Sequence, residues 1–281
     1  MDNYTVFKID GVEKSFSIEN APDFNFGKNE VLSNGKTDIS FGQPWYNEGF
    51  SEVDFLSKED FESLKSGLIN SIGNIIRKEC SLADLKGFNL ENYHEYVKTD
   101  ADHIKVVSKT RDLFSQDFNF PIEEILPRLG KILNFKLTDI DPKKNQKLHI
   151  IVRINRPLSK DYNPPHKDIY EGVDNDGYIP QFINFWIPIS GVTENTNLPL
   201  APKSHLVNEN SVLRTFEGGK IEGNKYRVRM IKSWDGDNSL VRSKVKYGQV
   251  LIFSSHLIHG LATNDETDKT RVALEFRLFK S

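Results

Sequence analysis

Apolar and polar residues alternate over residues 4–9 and again over 12–18, and the two runs meet at Asp10-Gly11. Alternation of period two on both sides of Asp-Gly predicts a β-hairpin. Residues 20–50 are rich in Asn, Gly, Asp and Ser with scattered aromatics, which predicts an irregular arm wrapped on the surface. The period then changes. Phe61, Leu64, Leu68, Ile72, Ile75 and Ile76 recur at helical spacing behind Ser57, a capping residue, and Asp60, placed as a capping-box acid. The spacing predicts a helix over 57–79 with one core-facing stripe. A second helix is expected from near Asp100 through Ile104, Val107 and Phe114. A third, shorter one is expected from Pro121, disturbed by Pro127.

The second half has a different character. The runs at 148–155, 181–190, 226–234, 249–255 and 271–279 are β-rich and are separated by loops of Pro, Gly, Asn and Asp. Many strands with turn signals between them, and no helix-length pattern alternating with them, predict a sandwich or barrel rather than a parallel doubly wound sheet. The expected fold is α+β: a double-stranded β-helix (jelly roll) core with helices packed on one face, mainly from the N-terminal half. One domain is expected over 1–281, with the hairpin, arm and supporting helices in 1–145 and the core with its site in 146–281.

Composition narrows the function without naming one. The chain has 281 residues and a formal net charge of −3, with no long basic run, so nucleic-acid and anionic-membrane binding are not expected. Cys80 is the only cysteine, which excludes an internal disulfide and a cysteine-based zinc site and suits a reducing cytoplasm. The start, MDNYTVFKID, lacks the basic and apolar regions of a signal peptide, and no apolar run is long enough to span a bilayer. The oligomeric state is not legible.

Seven histidines occur, and only His166 has a carboxylate two places on, in His166-Lys167-Asp168. One such coincidence is expected by chance in a chain this acidic, so its setting matters. It follows a strand and the stiff Pro164-Pro165 approach, and residues i and i+2 of an extended segment point the same way and can grip one ion. The other reading is a solvated loop histidine beside an acid. Further on, a strand ends in His256 and His259, followed by Gly260, and Arg271 opens the next strand. Either histidine could complete a two-histidine, one-carboxylate set, which leaves positions open on Fe(II). Arg271 offers a guanidinium fork suited to a distal carboxylate.

Taken together, residues 164–168 (PPHKD), 184–190 (NFWIPIS), 198–205 (LPLAPKSH), 248–260 (GQVLIFSSHLIHG) and 271–278 (RVALEFRL) resemble the phytanoyl-CoA dioxygenase-like branch of the iron(II), 2-oxoglutarate oxygenases. The resemblance covers the second half of the chain in the family's order. It implies His166, Asp168 and His259 as metal ligands, and Arg271 as the anchor of the 2-oxoglutarate C5 carboxylate. His256 is then expected to pack or hydrogen-bond nearby. The chain departs from the family at Lys203, where relatives often have Gly, and at Leu261, where many carry a small hydroxyl residue; Thr263 could supply that hydroxyl instead. Asn184 and Trp186 share a face and could line the pocket floor, as Arg153 and Asn155 could from the strand before; ordinary core packing is the alternative for all four. A carboxylate at Asp168 sets the chain apart from related halogenases, which have a small residue there.

The resemblance further implies Fe(2+), 2-oxoglutarate and O2 as cofactor and co-substrates, with succinate and CO2 released as a C–H bond is hydroxylated. Lys203, His205, Arg229, Trp234 and the acidic loop 170–178 could surround the pocket, which suggests a small polar or charged substrate. Two rivals stand beside this reading. A cupin-like metalloenzyme that uses no 2-oxoglutarate would not need Arg271. A non-catalytic β-sandwich binding module would show no interdependence of His166, Asp168 and His259.

Overall fold

In the computed structural model, which describes residues 3–19, 23–82 and 84–281, the larger sheet forms around strand Phe182–Ser190. All of its residues are buried, as suits a strand paired on both edges. Its neighbours are Gln249–Ser254, which pairs in turn with Phe50–Asp54, and Arg271–Lys280, which pairs with Ile151–Asn155 and, at its far end, with Leu137–Thr138. Every one of these pairings is antiparallel. This sheet thus takes in Phe50–Asp54, which the sequence reading grouped with the N-terminal half.

Period two sorts each strand into two faces. Val152, Ile154, Ile183, Phe185, Ile187, Val250, Ile252, Val272, Leu274 and Phe276 pack with the helices in one core. The alternate residues, among them Trp186, Leu251, Phe253 and Ala273, turn the other way and meet Leu198 and Leu200. Leu200 belongs to the second sheet, whose order is Pro199–Leu200, Ser239–Arg242, Asn3–Ile9, Val12–Glu19, Gly219–Ile221 and Asn224–Tyr226. The hairpin expected around Asp10-Gly11 is there, with Asn3–Ile9 and Val12–Glu19 in antiparallel register. It is an integral part of this sheet: Phe7, Ile9, Phe16 and Ile18 pack on Ile169, Tyr170, Ile258 and Leu261. The result is the expected α+β class, with two curled sheets facing each other and helices on the outer face of one.

The helix Lys58–Glu79 matches its sequence signal. The Ser57 side chain accepts the Asp60 N–H, and Phe61, Leu64, Leu68, Ile72 and Ile76 are buried. The second helix, Asp100–Thr110, ends short of Phe114, whose N–H instead bonds the Asp117 carboxylate and starts a 3-10 turn. The third, Ile122–Leu133, runs straight through Pro127. Proline costs about 3 kcal/mol inside a helix, but Ile122, Ile125, Leu129 and Leu133 are buried, each worth about 1.5–3 kcal/mol. Glu123 and Pro127 both face water, so the carbonyl freed by the missing N–H is solvated.

The run 226–234 is not one strand. It splits into Asn224–Tyr226 and Ile231–Trp234, because the Ile231 N–H leaves for the carbonyl of Pro165 and the partner strand shifts register between Leu213 and Arg214. The arm at 20–50, of which residues 20–22 lie outside the described residues, is largely irregular, yet Ser33, Asp38 and Ser40 in it are buried. No helix among the described residues is long and apolar enough to cross a membrane.

The two glycines buried in Lys58–Glu79 should respond oppositely to alanine. A Cβ on Gly67 would lie 2.5 Å from the backbone of Phe118, whereas one on Gly73 would make ordinary contact with Leu85 and Phe88 at 3.6 Å. Gly67→Ala should destabilise by about 1–3 kcal/mol. Gly73→Ala should stabilise by about 0.4–1 kcal/mol, with both values read from urea unfolding.

Candidate metal centre

The Pro164-Pro165 approach brings His166 alongside His259, and the two residues form an isolated antiparallel bridge. His166 donates its N–H to the His259 carbonyl at 2.9 Å, and His259 donates back at 3.1 Å. A second bridge joins His259 to Leu200. Gly260 is required beside His259: its φ is 143°, and a Cβ there would lie 2.5 Å from the Pro164 oxygen. That close approach is the physical content of the His-Gly step.

Each histidine is fixed through Nδ1, His166 to the Pro164 carbonyl at 2.7 Å and His259 to the Leu257 carbonyl at 3.1 Å. With Nδ1 as donor, Nε2 is left as the ligand atom. His166 Nε2 and His259 Nε2 lie 3.6 Å from the two oxygens of Asp168. The three residues each offer one ligand atom, all within 4.8 Å of one another. They are the residues that the sequence singled out, and the structure brings them together.

Two groups hold Asp168 from behind. Asn184 Nδ2 donates to Oδ2 at 2.8 Å and Arg277 Nη2 to Oδ1 at 2.5 Å. Burial alone would raise the Asp168 carboxyl, but Arg277, then His259 and His166, outweigh it and hold it well below the usual carboxylate range. Burial and the neighbouring His166 pull His259 down to about 4, so it is neutral at pH 7. One ionised carboxylate and two imidazole nitrogens are the donor set that a non-haem Fe(II) site uses.

A cavity runs from His166 and His259 past Trp186 to Arg271, with Arg153, Asn155 and Glu275 along its wall. Arg271 is 2 % exposed. Its fork donates to the carbonyls of Thr196 (3.0 Å) and Ala262 (3.4 Å) and to Asn155 Oδ1, and it stacks 5.7 Å from Trp186. Among the described residues no carboxylate pairs with it, and its buried Nε has no partner. Burial, followed by the charges of Arg242 and Arg153, lowers it to about 9. An unpaired cation walled off from water is costly, and a carboxylate carried in by a ligand would remove that cost. The residues therefore fit both a metal ion and a chelating dicarboxylate.

The other residues singled out from sequence fall into two groups. Trp186 and Asn155 line the cavity, while Asn184 faces the metal ligands and braces Asp168. Thr263 lies elsewhere: its hydroxyl is 2.9 Å from Arg242 Nη2 and 3.3 Å from Asp265. Leu261, where relatives have a hydroxyl, is buried in the hairpin core. Lys203 pairs with Glu48 on the surface, His205 packs edge-on to Tyr46, and Arg229 meets Asp174. Trp234 packs in the hairpin core, and the acidic loop 170–178 is a short helix, Tyr170–Asp176, closed by Gly177 at φ 72°. None of these five features lines the cavity: Lys203 lies on the surface, and His205, Trp234 and Tyr170 are buried in packing elsewhere. His256 is buried beside Asp38, 3.4 Å from its carboxylate. Sequence reasoning missed Glu275 and Arg277, although alternation from Arg271 along a strand with an apolar opposite face would have found both. Glu275 is bound by Arg153 through two contacts, 2.8 and 2.9 Å, and Arg153 draws it down to about 2 despite its burial.

Two outcomes follow from this geometry. Gly260→Ala should break the His166–His259 bridge, so that metal titration shows no saturable binding. Burial holds both His256 and His259 near 4, below the ordinary 6.5. The unfolded chain therefore binds protons first, and the metal-free protein should keep full stability above about 6.5 and lose it as the pH falls toward 4. Urea midpoints measured across that window should decline steadily; a flat profile would contradict the burial of both rings.

The sequence profile of the family described as phytanoyl-CoA dioxygenase (PhyH) matches residues 84–273, a span that contains His166, Asp168, His259 and Arg271. No curated protein sequence matches the chain. Among solved structures, it is similar to EctD from S. alaskensis with 2-oxoglutarate and 5-hydroxyectoine, at 13% identity and TM-score 0.47, covering 94% of this chain and 86% of that one. It is also similar to AviO1 from Streptomyces viridochromogenes Tue57, at 14% identity and TM-score 0.44, covering 89% and 96%. For the non-heme monooxygenase ThoJ in a nickel complex the values are 14%, 0.43, 86% and 77%. Since the family profile spans well over half of its length, this chain belongs to the phytanoyl-CoA dioxygenase family.

Proposed function

We propose that the chain is an iron(II)- and 2-oxoglutarate-dependent dioxygenase that hydroxylates a C–H bond of a small polar or charged metabolite, releasing succinate and CO2. The observation that carries the reading is Arg271: a buried guanidinium without a carboxylate partner among the described residues, lining the same cavity as His166 and His259. Its family gives the same direction.

In this reading His166, Asp168 and His259 would hold the metal ion, and a two-histidine, one-carboxylate set would leave it able to take a co-substrate and oxygen. The bound iron and 2-oxoglutarate supply the oxidising chemistry, and the protein supplies position and exclusion of water. Arg271 orients the co-substrate by its far carboxylate, and Trp186 stacks on the guanidinium and keeps water from it. Asn184 and Arg277 keep Asp168 ionised and aimed. Arg153 and Glu275 neutralise each other along the wall, so the cavity presents a hydrogen-bonding surface with little net charge there. That polarity suits a polar metabolite better than a long acyl chain.

The test uses metal-free protein with Fe(II) and 2-oxoglutarate, without oxygen. A weak visible charge-transfer band should form in the wild type and be lost in His166→Ala. Arg271→Gln should need about 10- to 100-fold more 2-oxoglutarate to reach the same band, the worth of one buried charged hydrogen-bonding pair. A wild-type protein that retains no Fe(II) and shows no band would overturn the reading.

A further inference from the structure

The turn Ser254–Ile258 serves two of the three ligand residues through its backbone. Asp168 donates its N–H to the Ser255 carbonyl at 3.1 Å, and His259 Nδ1 meets the Leu257 carbonyl at 3.1 Å. The end of the turn is held by Ser204, whose Oγ accepts the Ile258 N–H at 2.8 Å, and by Ala201, which donates its N–H to the Ile258 carbonyl at 2.8 Å; its start is held by the N-terminal arm. Asp38 is 3 % exposed. One of its oxygens accepts Ser33 Oγ at 2.7 Å and Ser254 Oγ at 2.6 Å. The other accepts the backbone N–H of Ser40 at 2.9 Å and its hydroxyl at 2.6 Å. Ser254 Oγ in turn accepts the backbone N–H of His256 at 3.1 Å, and His256 Nδ1 stands 3.4 Å from Asp38. The arm makes a second attachment to the same turn: Ser254 donates its N–H to the Gly49 carbonyl at 2.9 Å.

A buried carboxylate is tolerated only when its oxygens are fully bonded, and this one is bonded on both. The bonds run in one direction. Within the arm they tie Asp38 to Ser33 and Ser40; outside it, among the described residues, they reach only the turn that carries the ligand contacts. We propose that Asp38 is a positioning residue for the metal centre. By clamping Ser254 and His256 from behind, it sets where the Ser255 and Leu257 carbonyls stand, and so where Asp168 and His259 present their ligand atoms. The proposal rests on the reading of His166, Asp168 and His259 as a metal site. It also gives His256 a role beside Asp38 that its neighbour His259, on the cavity, does not share.

The test is a titration of the full-length, metal-free protein with Co(II) under anaerobic conditions, followed by its visible d–d spectrum. Asp38→Asn keeps the size of the side chain but replaces one acceptor oxygen with a donor. Ser254→Ala removes the linking hydroxyl and leaves Asp38 in place. Leu68→Ala, in the helix core, is the control for general loss of stability. Asp38→Asn should weaken Co(II) binding about 10- to 100-fold, the usual effect of losing a group that orients a ligand, and should alter the d–d spectrum. Ser254→Ala should act in the same direction, while Leu68→Ala should lower Tm with affinity and spectrum unchanged. Asp38→Asn binding Co(II) as tightly as wild type, with the same spectrum, would overturn the positioning role. Should Asp38→Asn not fold, Ser254→Ala decides by the same two readouts. Wild-type protein without saturable Co(II) binding would instead overturn the metal-site reading itself.

Discussion

Two backbone hydrogen bonds between His166 and His259 hold this molecule's candidate site together. They join segments far apart in sequence, and neither segment lies in a regular strand at that point. The bridge can form only because Gly260 lets the Pro164 carbonyl approach and because Leu200 pairs with His259 on the other side. The surrounding packing serves this juxtaposition. The hairpin core presses on Ile169, Tyr170, Ile258 and Leu261, the residues that flank the ligands in sequence. Lys167, between two ligands, sends its ammonium the opposite way to Glu209, 2.7 Å off and equally buried. Such a pair is costly to desolvate and contributes little net stability; its effect here is to fix the direction in which His166 and Asp168 face.

The second organising constraint is electrostatic. Arg153, Arg271, Glu275 and Arg277 share the inner face of two adjacent strands whose other face is an apolar core. Charges at such positions would be selected against in a sheet that only had to fold, since each must be paired or hydrogen-bonded to be tolerated. Three of them are paired within the protein: Arg153 with Glu275, and Arg277 with Asp168. Among the described residues, Arg271 alone of the four has no acid on it. The pattern separates charges that build the site from the charge that is left for a ligand.

Much of the fold could be read directly. The 57–79 stripe, the Asp10-Gly11 hairpin and four of the five β-rich runs depend on local periodicity, which is a property of consecutive residues. The errors fall where distant partners decide. Pro127 should disturb a helix, but burial of its neighbours outweighs it. The run 226–234 alternates like one strand, yet Pro165 captures the Ile231 N–H and ends the pairing. The arm has the composition of a surface loop, and nothing near Asp38 in sequence signals that it is buried.

For the site, the sequence by itself determined the chemistry of the donors. A histidine and an acid two apart on an extended segment face one way, a histidine before glycine permits close backbone approach, and an arginine opening a strand can reach the same face. These are consequences of bond geometry over a few residues. Only the tertiary structure decided that His259 and not His256 meets the pair, that Thr263 turns to Arg242, and that Asp38, Glu275 and Arg277 join the surroundings. The reason is that backbone direction fixes which way a side chain leaves its own strand, whereas what it meets there depends on a partner that the chain brings back from many residues away.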